Sequence, residues 1–125
     1  MANRRFYAAF TERDVATMDG LWARDHTVAC THPGSEPLHG RGAVLQSFAV
    51  IFASPGSPRL QAAHERVVAR TETSALVTCT EHAGEVEIVA TNGFVLEAGA
   101  WVMVLHHASP VVRQRSSQPP PSTLN

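Results

Sequence analysis

The chain has 125 residues, of which 44% are hydrophobic and 17% charged, and its formal net charge is −1. That is one globular domain with room for a single core, too apolar to be disordered. Its ten cationic side chains are all arginine, eleven acids balance them, and no block of like charge marks a nucleic-acid or membrane-surface footprint.

Phe6, Tyr7 and Phe10 form an apolar stripe at helical spacing and predict a first helix over 3–12. The apolar stretch after Arg5 is too short for a signal peptide, and no run reaches membrane-spanning length. The expectation is a soluble cytoplasmic protein. Asp14 is placed to cap a second short helix with Val15, Met18, Leu21 and Trp22 on its inner face. Thr27–Thr31 reads as a strand, Pro33-Gly34 as a turn, and the loop runs on to Gly42. Val44, Phe48, Ile51 and Phe52 repeat at i, i+4, i+7 and i+8 and predict a third helix over 42–53. Pro55 and Pro58 end it.

From there the pattern is β, with strands predicted over 60–70, 74–82, 86–96 and 100–108. Helices first and strands afterwards argue for an α+β fold rather than alternating βαβ units. Asn92-Gly93 is a strong hairpin signal, but a turn at Glu97-Ala98-Gly99 leaves two long strands and is preferred. Gly93 then marks a bulge or bend. The last strand is apolar on both faces, so both faces should be covered. Helices can cover one, and a second copy of the sheet is expected on the other, making a homodimer. After Pro110 the composition turns polar and proline-rich, and 111–125 is expected to be a disordered tail.

Familiar catalytic motifs are missing: no Gly-x-Ser-x-Gly, phosphate-binding glycine loop, paired-cysteine spacing or His-Glu-x-x-His. Cys30 and Cys79 lie in strand-like runs and read as buried free thiols. His106 and His107 are adjacent on a strand and point to opposite faces. His32 and His39 have only Glu36 nearby. Neither a metal nor a cofactor is expected.

His32 follows a strand and precedes Pro33-Gly34, so the backbone fixes it at a cavity edge. Histidine titrates near neutrality and suits acid–base work, although the plainer reading is a histidine that holds the loop through hydrogen bonds. Asn92 sits among apolar residues and needs partners, either a ligand or the bulge at Gly93. On the last strand Trp101, Met103, Leu105 and His107 share a face, opposite Val102, Val104 and His106. The larger side chains assign the Trp101 face, and with it His107, to the interior. Tyr7, Phe10, Trp22, Phe48, Phe52, Trp101 and Met103 are core residues that a concave pocket would also present to a ligand.

Cys30-Thr31-His32-Pro33-Gly34, Leu38-His39-Gly40, Thr91-Asn92-Gly93-Phe94, and Trp101 leading to His106-His107-Ala108-Ser109-Pro110 carry a resemblance over residues 3–110. They resemble the SnoaL-like and ketosteroid-isomerase-like branch of the NTF2-like superfamily. The resemblance implies a cone-shaped α+β fold, N-terminal helices packed on a curved antiparallel sheet, as a SnoaL-like domain over 1–110. It also implies a deep apolar pocket and usually a dimer through the sheet. Ketosteroid isomerases use a carboxylate base, a tyrosine and a protonated acid. The matching positions fall at Cys30 or His32, at Phe6 beside Tyr7, and near Asn92, so that constellation is not intact. The Asp-Arg-Asp set of related epoxide hydrolases is not visible, and Glu81 and Glu87 lie near strand ends, where neither clearly supplies an inner-strand carboxylate.

Two functions from different classes follow. The first is cofactor-free proton transfer on a small apolar ligand, by isomerisation, cyclisation or dehydration. His32 would be the acid or base, with Asn92 and His107 donating to a carbonyl or enolate. The second is a non-catalytic dimeric ligand-binding or association module. A cavity reaching His32 favours the first, and one plugged by Phe48, Phe52 and Trp101 favours the second.

Overall fold

The computed structural model describes residues 2–113. Most of the tail expected from residue 111 onward lies outside the described residues.

Three helices come first: α1 (Ala2–Glu12), α2 (Val15–Leu21) and α3 (Arg41–Ala53). Between α2 and α3 lie two short strands, β1 (Ala29–Thr31) and β2 (Leu38–His39). Four long strands complete the chain: β3 (Gln61–Arg70), β4 (Ser74–Ala83), β5 (Val86–Glu97) and β6 (Ala100–Pro110). They form one six-stranded sheet in the order β2-β1-β6-β5-β4-β3. The sheet is mixed, because β1 runs parallel to β6 while every other neighbour is antiparallel. The helices pack on its concave side, an α+β cone.

Local chemistry explains the boundaries. Asp14 caps α2, its Oδ1 accepting from the Thr17 N–H at 3.0 Å. The hairpin between β5 and β6 turns at Ala98 and Gly99, both at positive φ, 50° and 79°. A two-residue turn of that hand matches the twist of the flanking strands. Asn92-Gly93 therefore lies inside β5, as expected. One expectation fails: β2 lies in what reads as continuous loop, and its two residues pair Cys30 with Leu38 and Ala29 with His39.

Gly93 faces a bulge. It pairs with Leu105 whereas Phe94 pairs with Met103, so Val104 is the extra residue, on β6. The approach there is close: a Cβ on Gly93 would sit 3.1 Å from Leu105 Cβ.

The core lies between α1, α3 and the concave face. Phe48 meets the rings of Phe6, Phe10, Phe52 and Trp22 with centroids 5.7–6.3 Å apart. Cys30 and Cys79 are buried free thiols. At the hairpin end Glu97 accepts from the Arg24 and Asp25 backbone N–H groups, both at 2.9 Å, and contacts the His26 ring at 2.7 Å. These contacts, led by His26, hold its carboxyl down to about 2 and tie the α2–β1 loop to the sheet. No helix among the described residues is long and apolar enough to cross a membrane.

Candidate functional site

Sheet register places the site. On the concave face Val77, Asn92 and His106 stand side by side across β4, β5 and β6. Cys79 and Glu81 follow at two-residue steps along β4, on the same side. The first two turns of α1 lay Asn3 and Tyr7 over them.

These side chains form a buried polar chain. Asn92 Nδ2 donates to Asn3 Oδ1 at 2.8 Å and to the Tyr7 hydroxyl at 3.1 Å. Asn92 Oδ1 accepts from His106 Nδ1 at 2.6 Å. The Tyr7 hydroxyl donates to Glu81 Oε2 at 2.5 Å and lies 3.2 Å from Cys79 Sγ. His106 Nε2 stands 3.9 Å from the same Glu81 oxygen. Glu81 is 1% exposed and Asn92 is sealed off completely. Two buried atoms are left over: Glu81 Oε1 and Asn3 Nδ2 make no hydrogen bond of normal geometry.

Burial sets the protonation. It pushes the Glu81 carboxyl up, partly offset by the Tyr7 hydrogen bond. It pushes His106 down to about 3, helped by His32 and His107. Tyr7 is raised by burial and by the charge of Glu81, so its hydroxyl stays a donor. His106 is therefore a neutral imidazole whose Nδ1–H is spent on Asn92, which leaves Nε2 as an acceptor facing Glu81. A sealed carboxyl with one oxygen held and the other free has the environment of an acid–base group, not of a surface charge.

His32 is half-buried at the edge of this cluster, with its ring centroid 6.3 Å from that of His106 and 5.0 Å from Phe48. Its Nε2 lies 2.8 Å from Ser47 Oγ, and that hydroxyl donates to the Val44 carbonyl at 2.6 Å. His32 is thus the donor to Ser47, and burial lowers its pKa. Cys30, beside it, is pushed by burial up to about 12.

Two sequence expectations need correction. His107 does not face the interior; it is exposed, and His106 takes the inward place. The cause is the bulge at Val104, which advances the alternation by one residue, so Trp101 and Met103 lie inward but Leu105 and His107 do not. Glu81, set aside as a strand-end residue, does lie two residues from the end of β4, but it is buried and points into the cluster. An apolar strand with a single carboxylate at an inward parity was the available signal.

Of the seven residues expected against a ligand, Phe10, Trp22, Phe48, Phe52 and Met103 are core side chains, and Tyr7 belongs to the polar chain. Only Trp101 borders the cavity at the cone mouth, about 150 Å³ in volume, with Asn3, Val67, Arg70, Val77 and Phe94. His32 does not border it. Phe48 fills the space beside His32 and packs in turn on Phe52, whereas Trp101 walls the mouth instead of plugging it.

The architecture is that of an NTF2-like α+β cone. A family model described as a SnoaL-like domain matches residues 1–113, and the chain belongs to that family. A solved structure of a candidate dehydratase of the NTF2-like family from Streptomyces avermitilis is 36% identical, with a TM-score of 0.81 over 90% of this chain and 92% of that one. A candidate calcium/calmodulin-dependent protein kinase type II association domain from Thiobacillus denitrificans is 41% identical, with a TM-score of 0.72 over 89% and 93%. A candidate ketosteroid isomerase from Parabacteroides distasonis shares the fold at 15% identity, with a TM-score of 0.67 over 83% and 80%. No curated protein matches the chain.

Proposed function

We propose that this domain performs cofactor-free acid–base chemistry on a small molecule, of the isomerase or dehydratase type, with Glu81 as the proton carrier. The observation that carries this reading is the state of the Glu81 carboxyl: sealed from water, held by Tyr7 at 2.5 Å through Oε2, and unpartnered at Oε1. A carboxyl with a raised pKa divides between its two protonation states nearer neutral pH, where proton transfer to and from carbon is most efficient. In this reading Glu81 Oε1 removes a proton α to a carbonyl, and the electron pair moves onto the carbonyl oxygen. The same carboxylic acid then returns the proton to carbon. Tyr7 orients the carboxyl through its hydrogen bond to Oε2, and Asn92 fixes the tautomer of the neighbouring His106. His32 stands next to His106 and supports it. The 36% identical candidate dehydratase agrees with this class of chemistry.

The test needs no knowledge of the natural substrate. A panel of small enolisable ketones in D2O at pH 7 is followed by NMR for exchange of α-protons. The protein is expected to accelerate exchange of at least one ketone, and Glu81→Gln to slow that exchange by about 10²–10⁴-fold. Exchange no faster than in buffer, or Glu81→Gln at the unaltered rate, would overturn the reading.

The second reading is a dimeric association module. It is favoured by the convex side of the sheet, where Leu76 is 39% and Val89 46% exposed, and by the 41% identical candidate association domain. A dimer through this face is expected in sedimentation at micromolar concentration, and a clean monomer would defeat it.

A further inference from the structure

The interior polar chain has a side as well as a mouth, and His32 stands at that side. The residue is half-buried, with one edge in solvent and the other against sealed groups. Cys30 Sγ lies 3.7 Å from its Nε2 and 3.9 Å from its Nδ1, and the His106 ring centroid is 6.3 Å away. Cys30 is 0% and His106 3% exposed.

This place suits a neutral ring and not a charged one. Ser47 spends its proton on the Val44 carbonyl, so its oxygen accepts from His32 Nε2–H and Nδ1 is the bare nitrogen. A second proton would go on Nδ1. No protein oxygen among the described residues accepts it there, and the sulfur of Cys30, a weak acceptor, is the polar atom in reach. The groups packed on the ring are Cys30 two residues back, His106 from β6, and Ser47 and Phe48 from α3. None carries negative charge, because burial keeps Cys30 a thiol and His106 neutral. Among the described residues no carboxylate lies within ion-pair distance of His32; Glu81 stands 3.9 Å beyond His106 Nε2. The backbone is held, since the Ser35 N–H donates to the His32 carbonyl at 2.9 Å. Rotation about the Cα–Cβ bond is enough to carry the ring outward.

We infer that His32 is a pH-operated side door to the polar chain, shut as the neutral imidazole and swung into solvent as the imidazolium. Water and small solutes then reach Cys30 and His106 through the space the ring leaves beside Phe48. The mouth cavity does not border Glu81, and the door opens a second approach toward it, past His106. It needs no chemistry at Glu81, so it goes beyond the acid–base reading and is tested without turnover. The swung-out ring titrates at the ordinary 6.5, and burial holds the enclosed ring lower. Between those two values each pH unit of acidification favours the open state by up to about tenfold.

The probe is methyl methanethiosulfonate, a small thiol reagent, applied in short pulses from pH 7.5 to pH 5. Labelling at Cys30 and at Cys79 is read separately by peptide mass spectrometry. Cys79 is the reference: it is 4% exposed, on β4 against Tyr7, away from the door, and it reports wider unfolding. Acidification lowers the thiolate fraction of both cysteines alike, so their ratio reports the door. The ratio of Cys30 to Cys79 labelling is expected to be flat above pH 7 and to rise roughly five- to fifteenfold between pH 6.5 and pH 5. His32→Gln keeps a donor for Ser47 and takes up no proton, so its ratio should stay flat over the whole range. A flat ratio in the unaltered protein, or a rise of the same size in His32→Gln, would each overturn the inference. The first of these arms uses the unaltered protein alone and decides even where the variant folds poorly.

Discussion

Phe48→Ala is expected to cost about 3–5 kcal/mol of folding stability, the usual range for emptying a fully buried phenylalanine site. Phe48 is 1% exposed and is the meeting point of α3 with the rest of the core. Rings from α1, from the end of α2 and from its own helix surround it, with His32 beyond. The walls come from several elements and cannot close the gap without moving whole helices, so the cavity term is retained. Against a typical total of about 5–15 kcal/mol, the variant would be marginal. Urea unfolding of the two proteins measures the difference. A loss under about 1 kcal/mol would mean that α3 does not dock as described.

Glu81→Gln is expected to stabilise the protein at pH 7–8, with the gain shrinking as pH falls toward 4.5. The sign follows from the direction of each shift. Glu81 titrates higher in the folded state than its ordinary 4.5, so its contribution is full below 4.5 and is lost as pH rises through the folded value. Glutamine removes that loss and keeps the shape. His106 works the other way: its folded value of about 3 lies below the ordinary 6.5. Its contribution is full above 6.5 and is lost, by several kcal/mol, as pH falls toward 3. In the unaltered protein the two slopes oppose each other from about 4.5 upward, as far as the lower of 6.5 and the folded value of Glu81. The variant keeps the His106 slope, joined in the same direction by that of His32, which burial also lowers, so its unfolding midpoint should fall steadily with acidification below pH 6.5. Midpoints measured from pH 4 to pH 8 decide it. A variant less stable than the parent at pH 8 would mean that Glu81 is ionised and paired with a protonated His106.

Most of the fold was legible in the sequence because its signals are periodic. The Phe6/Phe10 stripe, the Val44–Phe52 repeat and the proline stop after α3 locate three helices to within a residue or two, and the choice of turn at Ala98-Gly99 over Asn92-Gly93 holds. β2 was not legible, since two residues have no period and their pairing with β1 depends on where the loop returns. The site was legible only in part. Asn92 was flagged as a buried amide needing partners, and it has three. His106 was exchanged for His107 because side-chain parity was counted through Val104, which carries none of the glycine or proline marks of a bulge; the marked residue, Gly93, lies on the opposite strand. Glu81 was passed over because its importance comes from Tyr7, 74 positions away along the chain, and a linear pattern does not show that approach.

That separation has a consequence in time. The β1–β6 ladder joins residues 29–31 to residues 105–107, and the polar chain joins Asn3 and Tyr7 to Glu81, Asn92 and His106. The β1 ladder and the His106 end of the polar chain cannot close until the last strand is available, and Tyr7 meets Glu81 only once β4 exists, so on a ribosome α1 emerges early and waits for its partners through most of synthesis. Such long-range closure slows folding and leaves apolar surface unprotected meanwhile. The aromatic stripe of α1 is therefore the stretch of this chain with the longest need of shelter from other chains while the domain is being made.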